Sequence, residues 1–163
     1  MERLNFLKGV LFMIKVPLKV KKLENYIGEM PSYQSLLASG FDVRAQINES
    51  LSLKPGERAL VPTGLSFEIP PGYEIQSRPR SGLAFKQGIS IVNTPGTIDA
   101  DYRGEVKIIL INLGTETCLI QPQDRVAQLI LAPVVQAEFI LVDQLSETQR
   151  GAGGFGSTGV SAQ

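Results

Sequence analysis

The chain has 163 residues, 43% of them hydrophobic and 20% charged, the profile of one globular domain with a sizeable core. Sixteen basic residues balance sixteen acidic ones, which argues against nucleic acid as a partner, because such binding rests on a basic surface that displaces counterions. There is no histidine and one cysteine, Cys118, so a Ser-His-Asp triad, a Cys-His dyad, the usual zinc sites and an intrachain disulfide are excluded.

Any hydrolytic proton transfer therefore falls to a carboxylate, and the lone thiol suits a reducing cytoplasm. The opening MERLNFLKGVLFMIKVPLKV is apolar but interrupted by Lys8 and Lys15. With no small-residue cleavage site after it, it reads as neither a signal peptide nor a membrane span. Residues 1–13 read as an N-terminal extension, with Met13 opening the first strand phrase. Lys15, Lys19, Lys21 and Lys22 then read as a solvated strand edge.

Along the rest of the chain a period of two dominates. In LSFEI, Leu65, Phe67 and Ile69 share one face, and in YEIQSR, Tyr73, Ile75 and Ser77 do the same. With turns at Lys54-Pro55-Gly56, Pro70-Pro71-Gly72 and Pro95-Gly96, the pattern predicts strands over 14–22, 59–69, 73–79, 89–93, 105–113, 117–121, 125–134 and 137–143. The only helical stretch is Ser32–Ala38. Many short strands at this spacing predict an all-β sandwich or jelly-roll barrel. The run VKIILINL, Val106–Leu113, is apolar on both faces, so its second face is covered either by the same chain or by another subunit.

Polar phrases break the alternation. Arg80-Ser81-Gly82 offers a guanidinium fork, a hydroxyl and an unhindered backbone N–H, an anion-binding set or an ordinary turn. NTPGTIDADYRGEV, Asn93–Val106, places Asp99 and Asp101 on one face of an extended segment with Tyr102 pointing away. Those carboxylates suit a metal or general-base site, or simply a turn. In QDRVAQLI, Asp124 and Arg125 form a surface ion pair and Gln128 interrupts the strand, while Asp42 follows Gly40 in SGFDVRA. The tail RGAGGFGSTG nearly fits two phosphate-loop patterns, yet Ser157 stands where one needs lysine, and only five residues follow Thr158 where both need a helix.

Taken together, Ser39–Asp42, Arg80–Ala84, Asn93–Val106, Asp124–Gln128 and Arg150–Gly159 resemble, in order, the five motifs of the trimeric deoxyuridine triphosphate nucleotidohydrolases, the dUTPases. The likeness spans about residues 14–159 and departs from the family at Gln123, where glycine is usual. It implies a distorted jelly-roll β-barrel over 14–145 and a flexible lid over 146–163. It implies hydrolysis of dUTP to dUMP and pyrophosphate, with Asp99 orienting and deprotonating the attacking water. Mg2+ would be held mainly by the substrate phosphates, and Asp42 would touch it only through water. Arg80, Ser81, Gly82 and Gln128 would hold phosphate oxygens, Asn93, Gly96, Thr97 and Ile98 would read uracil, and Tyr102 would lie beneath the deoxyribose. Lys107 matches a substrate-contacting position. Arg150, Ser157 and Thr158 would grip the γ-phosphate while Phe155 stacks on the base and glycines, Gly156 among them, let the lid close. The same likeness implies a homotrimer whose sites are shared between subunits. A deoxycytidine triphosphate deaminase of this fold is disfavoured: it would have Arg-Ser-Ser at Arg80–Gly82 and a catalytic Glu at the position of Ile109.

Overall fold

The computed structural model describes residues 14–154. The N-terminal extension and the lid residues Phe155, Gly156, Ser157 and Thr158 lie outside that range. In chain order the strands are β1 (Lys19–Lys22), β2 (Phe41–Arg44), β3 (Leu51–Leu53), β4 (Arg58–Pro62), β5 (Leu65–Glu68) and β6 (Tyr73–Arg78). A single short helix, α1 (Ser81–Gln87), precedes β7 (Ile89–Ile91), β8 (Gly96–Ile98), β9 (Lys107–Asn112), β10 (Cys118–Ile120) and β11 (Arg125–Pro133).

All strand pairs among the described residues are antiparallel. They form a four-stranded sheet β2-β11-β6-β8, a three-stranded sheet β4-β9-β7, and the pairs β1-β5 and β3-β10. The period-two pattern sends Val43, Ile75, Ala127 and Leu129 inward from the first sheet and Val61, Ile108 and Leu110 from the second, into one core. The fold is the all-β, jelly-roll-like architecture the alternation predicts, with its strands in four separate sheets rather than a closed barrel.

Several elements differ from the sequence reading. The predicted strand 59–69 is two strands, because the chain turns at Gly64, whose φ is +64°. Strands β2, β3 and β8 were not predicted; at 4, 3 and 3 residues they are too short to show a period. Ser32–Ala38 forms bends and turns with Leu36 and Leu37 exposed. A seven-residue helix is marginal without packing, and this segment has no buried face. The equally short α1 does form, because Leu83 packs against the core and Gly88 caps the helix. Gly88 sits at φ +68°, and its N–H reaches the carbonyls of Leu83 and Ala84. Among the described residues the predicted strand 137–143 has no strand partner, and it is exposed throughout, with Phe139 95% and Leu141 99% accessible.

The two-faced strand β9 buries Ile108, Leu110 and Asn112, while Ile109 and Ile111 stay half-exposed on the other side. Cross-strand from Ile109, Leu60 is 59% exposed. The chain's own core thus covers only one face.

The turn before β11 carries Gln123 where the resemblance leads one to expect glycine. Asp124 N–H bonds the Gln121 carbonyl at 3.1 Å, with Pro122 second and Gln123 third in the turn at φ +68°. A positive φ at the third position is where a type II turn favours glycine. Gln123 instead uses its side chain, donating from Nε2 to Gln46 Oε1 at 2.9 Å, and Gln46 in turn clamps both backbone groups of Ile27. The left-handed conformation costs a non-glycine residue ~1–2 kcal/mol, and a net hydrogen bond contributes about 1 kcal/mol. The two effects nearly cancel. Gln123→Gly is therefore expected to unfold within about 1 kcal/mol of the parent, whereas Gln123→Ala, which loses the bond and keeps the strain, falls by about 1 kcal/mol. Urea midpoints for the three proteins check this, and an alanine variant as stable as the glycine one would contradict it.

Candidate active site

The segment between β8 and β9 shapes a cavity of about 430 Å3 lined by Thr97, Ile98, Asp99, Tyr102, Glu105 and Lys107, with Leu60 at its edge. Its geometry comes from a turn rather than from the extended segment that the sequence predicts. Tyr102 N–H bonds the Asp99 carbonyl at 3.2 Å, and Arg103 Nη1 donates to the carbonyls of Ala100 (2.7 Å) and Tyr102 (3.1 Å). The turn brings Asp99 and Tyr102 to the same cavity and sends Asp101, beside Ala100 and Arg103, to a separate hollow that Lys19 and Glu68 also line. The two aspartates do not share a site.

Tyr102, 47% exposed, is held by its hydroxyl, which donates to the Glu105 carbonyl at 3.0 Å. Asp99 is exposed, and among the described residues its carboxylate takes part in no hydrogen bond or ion pair. Its oxygens are available to a water or a ligand. Lys107 Nζ lies 3.5 Å from Glu105 Oε2.

Asn93 and Gly96 stand at the neighbouring turn. Gly96 is buried, and a Cβ there would collide with Ser77 Oγ and come within 2.9 Å of Asn93 Nδ2. Any side chain there would force Ser77 or Asn93 to give way as β8 pairs with β6.

A second group forms around Asp42. Its Oδ1 accepts from Arg80 Nε at 3.1 Å and its Oδ2 from Arg125 Nη1 at 3.3 Å, so Arg125 pairs with Asp42 rather than with Asp124. Asp124 instead takes the Gln121 N–H at 2.8 Å and closes its own turn. Arg80 also donates from Nη1 to the Arg125 carbonyl at 3.1 Å, which fixes its guanidinium and leaves Nη2 for a ligand. Partly exposed pairs like these contribute little stability. Their effect is to orient the fork.

Ser81 and Gly82 open α1, with Arg80 the residue before the first turn. The sequence left that phrase between anion site and turn; the structure makes it a helix start whose first N–H groups lack helical partners. Among the described residues nothing lies within 4 Å of where a Gly82 side chain would begin. Gln128 donates from Nε2 to the Pro79 carbonyl at 2.9 Å, so β11 supports this phrase from beneath.

Sheet register separates the two groups within one chain. Ile98 pairs with Ile75 on β6, while Gln128 pairs with Arg78, three residues farther along the same strand. At ~3.4 Å per residue and ~4.8 Å per strand, the Ile98 end of β8 lies about 14 Å from Gln128. Asp99 follows Ile98 directly, at the start of the turn.

Arg150 joins neither group: its Nε donates to the Gly153 carbonyl at 2.8 Å in a turn of the tail itself. Among the described residues no group of three or more Asp, Glu, Cys or His could hold a metal ion, and no helix is long and apolar enough to cross a membrane. The sequence reading missed Glu105, Leu60 and the role of Arg125. Glu105 carried one signal, as the single carboxylate two residues before Lys107 in an otherwise apolar run.

Comparison with known proteins gives a consistent result. The dUTPase family profile matches residues 27–159. A deoxyuridine 5'-triphosphate nucleotidohydrolase of Bdellovibrio bacteriovorus is 69% identical over 147 residues, covering 90% of this chain and 99% of that protein. One from Chlamydia pneumoniae is 58% identical over 135 residues, covering 82% and 93%. Among solved structures, a Staphylococcus bacteriophage 80alpha dUTPase with dUpNHpp superposes with a TM-score of 0.75 at 28% identity, covering 88% of this chain and 99% of that one. A dUTPase from phage phi11 of S. aureus, studied for coordination of a structural Mg(II) ion, gives 0.71 at 26% identity, covering 80% and 99%. With four of its polar phrases gathered into these two groups and nearly its whole length matched, the chain belongs to the dUTPase family.

Proposed function

We propose that the chain hydrolyses dUTP to dUMP and pyrophosphate, lowering dUTP and supplying dUMP for thymidylate synthesis in the cytoplasm. The observation that carries this reading is Asp99: an exposed carboxylate in a cavity with Tyr102 and Lys107, in a chain with no histidine to take a proton. Asp99 accepts a hydrogen bond from a water, aims it at the α-phosphorus and takes its proton as the P–O bond to the leaving pyrophosphate breaks. Tyr102 lies beneath the deoxyribose. Thr97 and Ile98, with Asn93 and Gly96 at the adjoining turn, read the base.

Arg80, Ser81, Gly82 and Gln128 hold phosphate oxygens, the fork being oriented in advance by Asp42. These residues fit a magnesium ion carried by the phosphates, since Mg2+ keeps several waters and needs few protein oxygens. Asp42 spends two of its roughly four acceptor positions on the arginines and can accept from a metal-bound water with the others. When bound, the ion supplies charge neutralisation on the triphosphate.

The reading includes a homotrimer with shared sites. Three features support it, the first two being the half-exposed outer face of β9 with Leu60, which borders the cavity, and the exposed apolar segment with Phe139, Ile140 and Leu141. The separation of Asp99 from the Arg80 group within one chain is a third. In the trimer, Arg150, Phe155, Gly156, Ser157 and Thr158 close over a site built from other subunits.

Steady-state hydrolysis of dUTP, dTTP, dCTP and UTP tests the reading. A crowded methyl is expected to cost dTTP about 10- to 200-fold in kcat/KM, and mismatched hydrogen bonds to cost dCTP about 10⁴-fold. UTP should suffer from its 2′-hydroxyl against Tyr102. Comparable values for all four would refute the pocket.

A further inference from the structure

Glu105 stands where three parts of the cavity meet. Its side chain is 16% exposed, and both carboxylate oxygens are engaged. Oε1 accepts the Gly64 N–H at 2.8 Å and the Asn25 Nδ2–H at 3.3 Å, while Oε2 faces Lys107 Nζ at 3.5 Å. Its backbone carbonyl takes the Tyr102 hydroxyl at 3.0 Å. The next residue, Val106, is pinned by its N–H to the Leu65 carbonyl at 2.8 Å and by its own carbonyl, which accepts the Thr63 hydroxyl at 2.6 Å. Glu105 is therefore a fixed negative charge on a rigid mount.

Lys107 is different. Its side chain is 44% exposed on a long flexible stem, and only Glu105 among the described residues pairs with its ammonium. A free lysine samples many rotamers, and confining it costs entropy unless a partner holds it. Resting on the functional reading above, we infer that Glu105 is a positioning residue that holds the Lys107 ammonium against the cavity shared with Asp99, so that the charge is in place when the anionic substrate enters. The Gly64 and Asn25 bonds keep the carboxylate itself from swinging out with the lysine.

A double-mutant cycle separates this from a purely structural role. Glu105→Gln keeps an oxygen for Gly64 and Asn25 but removes the charge from Lys107, and Lys107→Met removes the other partner. In the wild-type background Glu105→Gln is expected to lower kcat/KM for dUTP about tenfold; with Lys107→Met already present it should lower it by less than about twofold, because coupled residues are non-additive. Melting temperatures should shift by the same amount in both backgrounds. Equal kinetic losses in both backgrounds, or no loss in either, would overturn the inference. If Glu105→Gln does not fold, Glu105→Asp enters the same cycle, since it keeps the charge and withdraws it from Lys107 by one methylene. Wild-type turnover of dUTP, measured first, reports on the functional reading separately.

Discussion

Asp99→Asn is expected to turn over dUTP about 10²- to 10⁴-fold more slowly than the parent, the usual contribution of a positioned general base, while binding dUTP with similar affinity. Asparagine keeps the shape of the side chain and can still touch a water, but it cannot take its proton. The fold should not notice the change, because Asp99 is exposed and its carboxylate holds no partner among the described residues. Calorimetric titration with dUTP in the variant, beside single-turnover rates, separates chemistry from binding. Near-normal turnover would place the base elsewhere. Asp101 is then a poor substitute, since the turn that brings Asp99 to Tyr102 sends Asp101 to another hollow.

That turn shows where sequence reasoning reaches its limit. Asp99 and Tyr102 are legible as candidates because polar residues interrupt a strong alternation, Lys107 only through the family resemblance, and the three do line one cavity. Their geometry is not legible, because an extended segment and a turn differ by hydrogen bonds that Arg103 makes to backbone carbonyls, and no residue pattern encodes these. The long strands β6 and β11 are plain in the period-two pattern, while β3 and β8, at three residues each, depend on partners distant in sequence. For the same reason the sequence points to a helix at Ser32–Ala38 and not at Ser81–Gln87, whereas the anchoring of Leu83 and the cap at Gly88 make the second segment the helix. Arg125 was assigned to its neighbour Asp124, when the partner that the sheet brings to it is Asp42. The two faces of Val106–Leu113 were visible as a problem. The chain covers one face itself and leaves Ile109 and Ile111 half-exposed on the other.

The shared site carries the second large effect. If Asp99 of one chain acts on a triphosphate held by Arg80 of another, a mutation in either residue disables its homotrimer, yet the two mutants repair each other when mixed. Arg80→Ala is a suitable partner because Asp42 keeps its contact with Arg125 at 3.3 Å, so no carboxylate is stranded. Asp99→Asn and Arg80→Ala chains carrying different tags are co-expressed, and assemblies holding both tags are purified and assayed for pyrophosphate release from dUTP. With the two residues drawn from different chains, every closed cyclic trimer that holds both kinds of chain has about a third of its sites complete. Activity near that fraction of the parent's is expected, far above either homotrimer. Verified mixed assemblies with no more activity than the two homotrimers would contradict it, because every site would then take Asp99 and Arg80 from one chain.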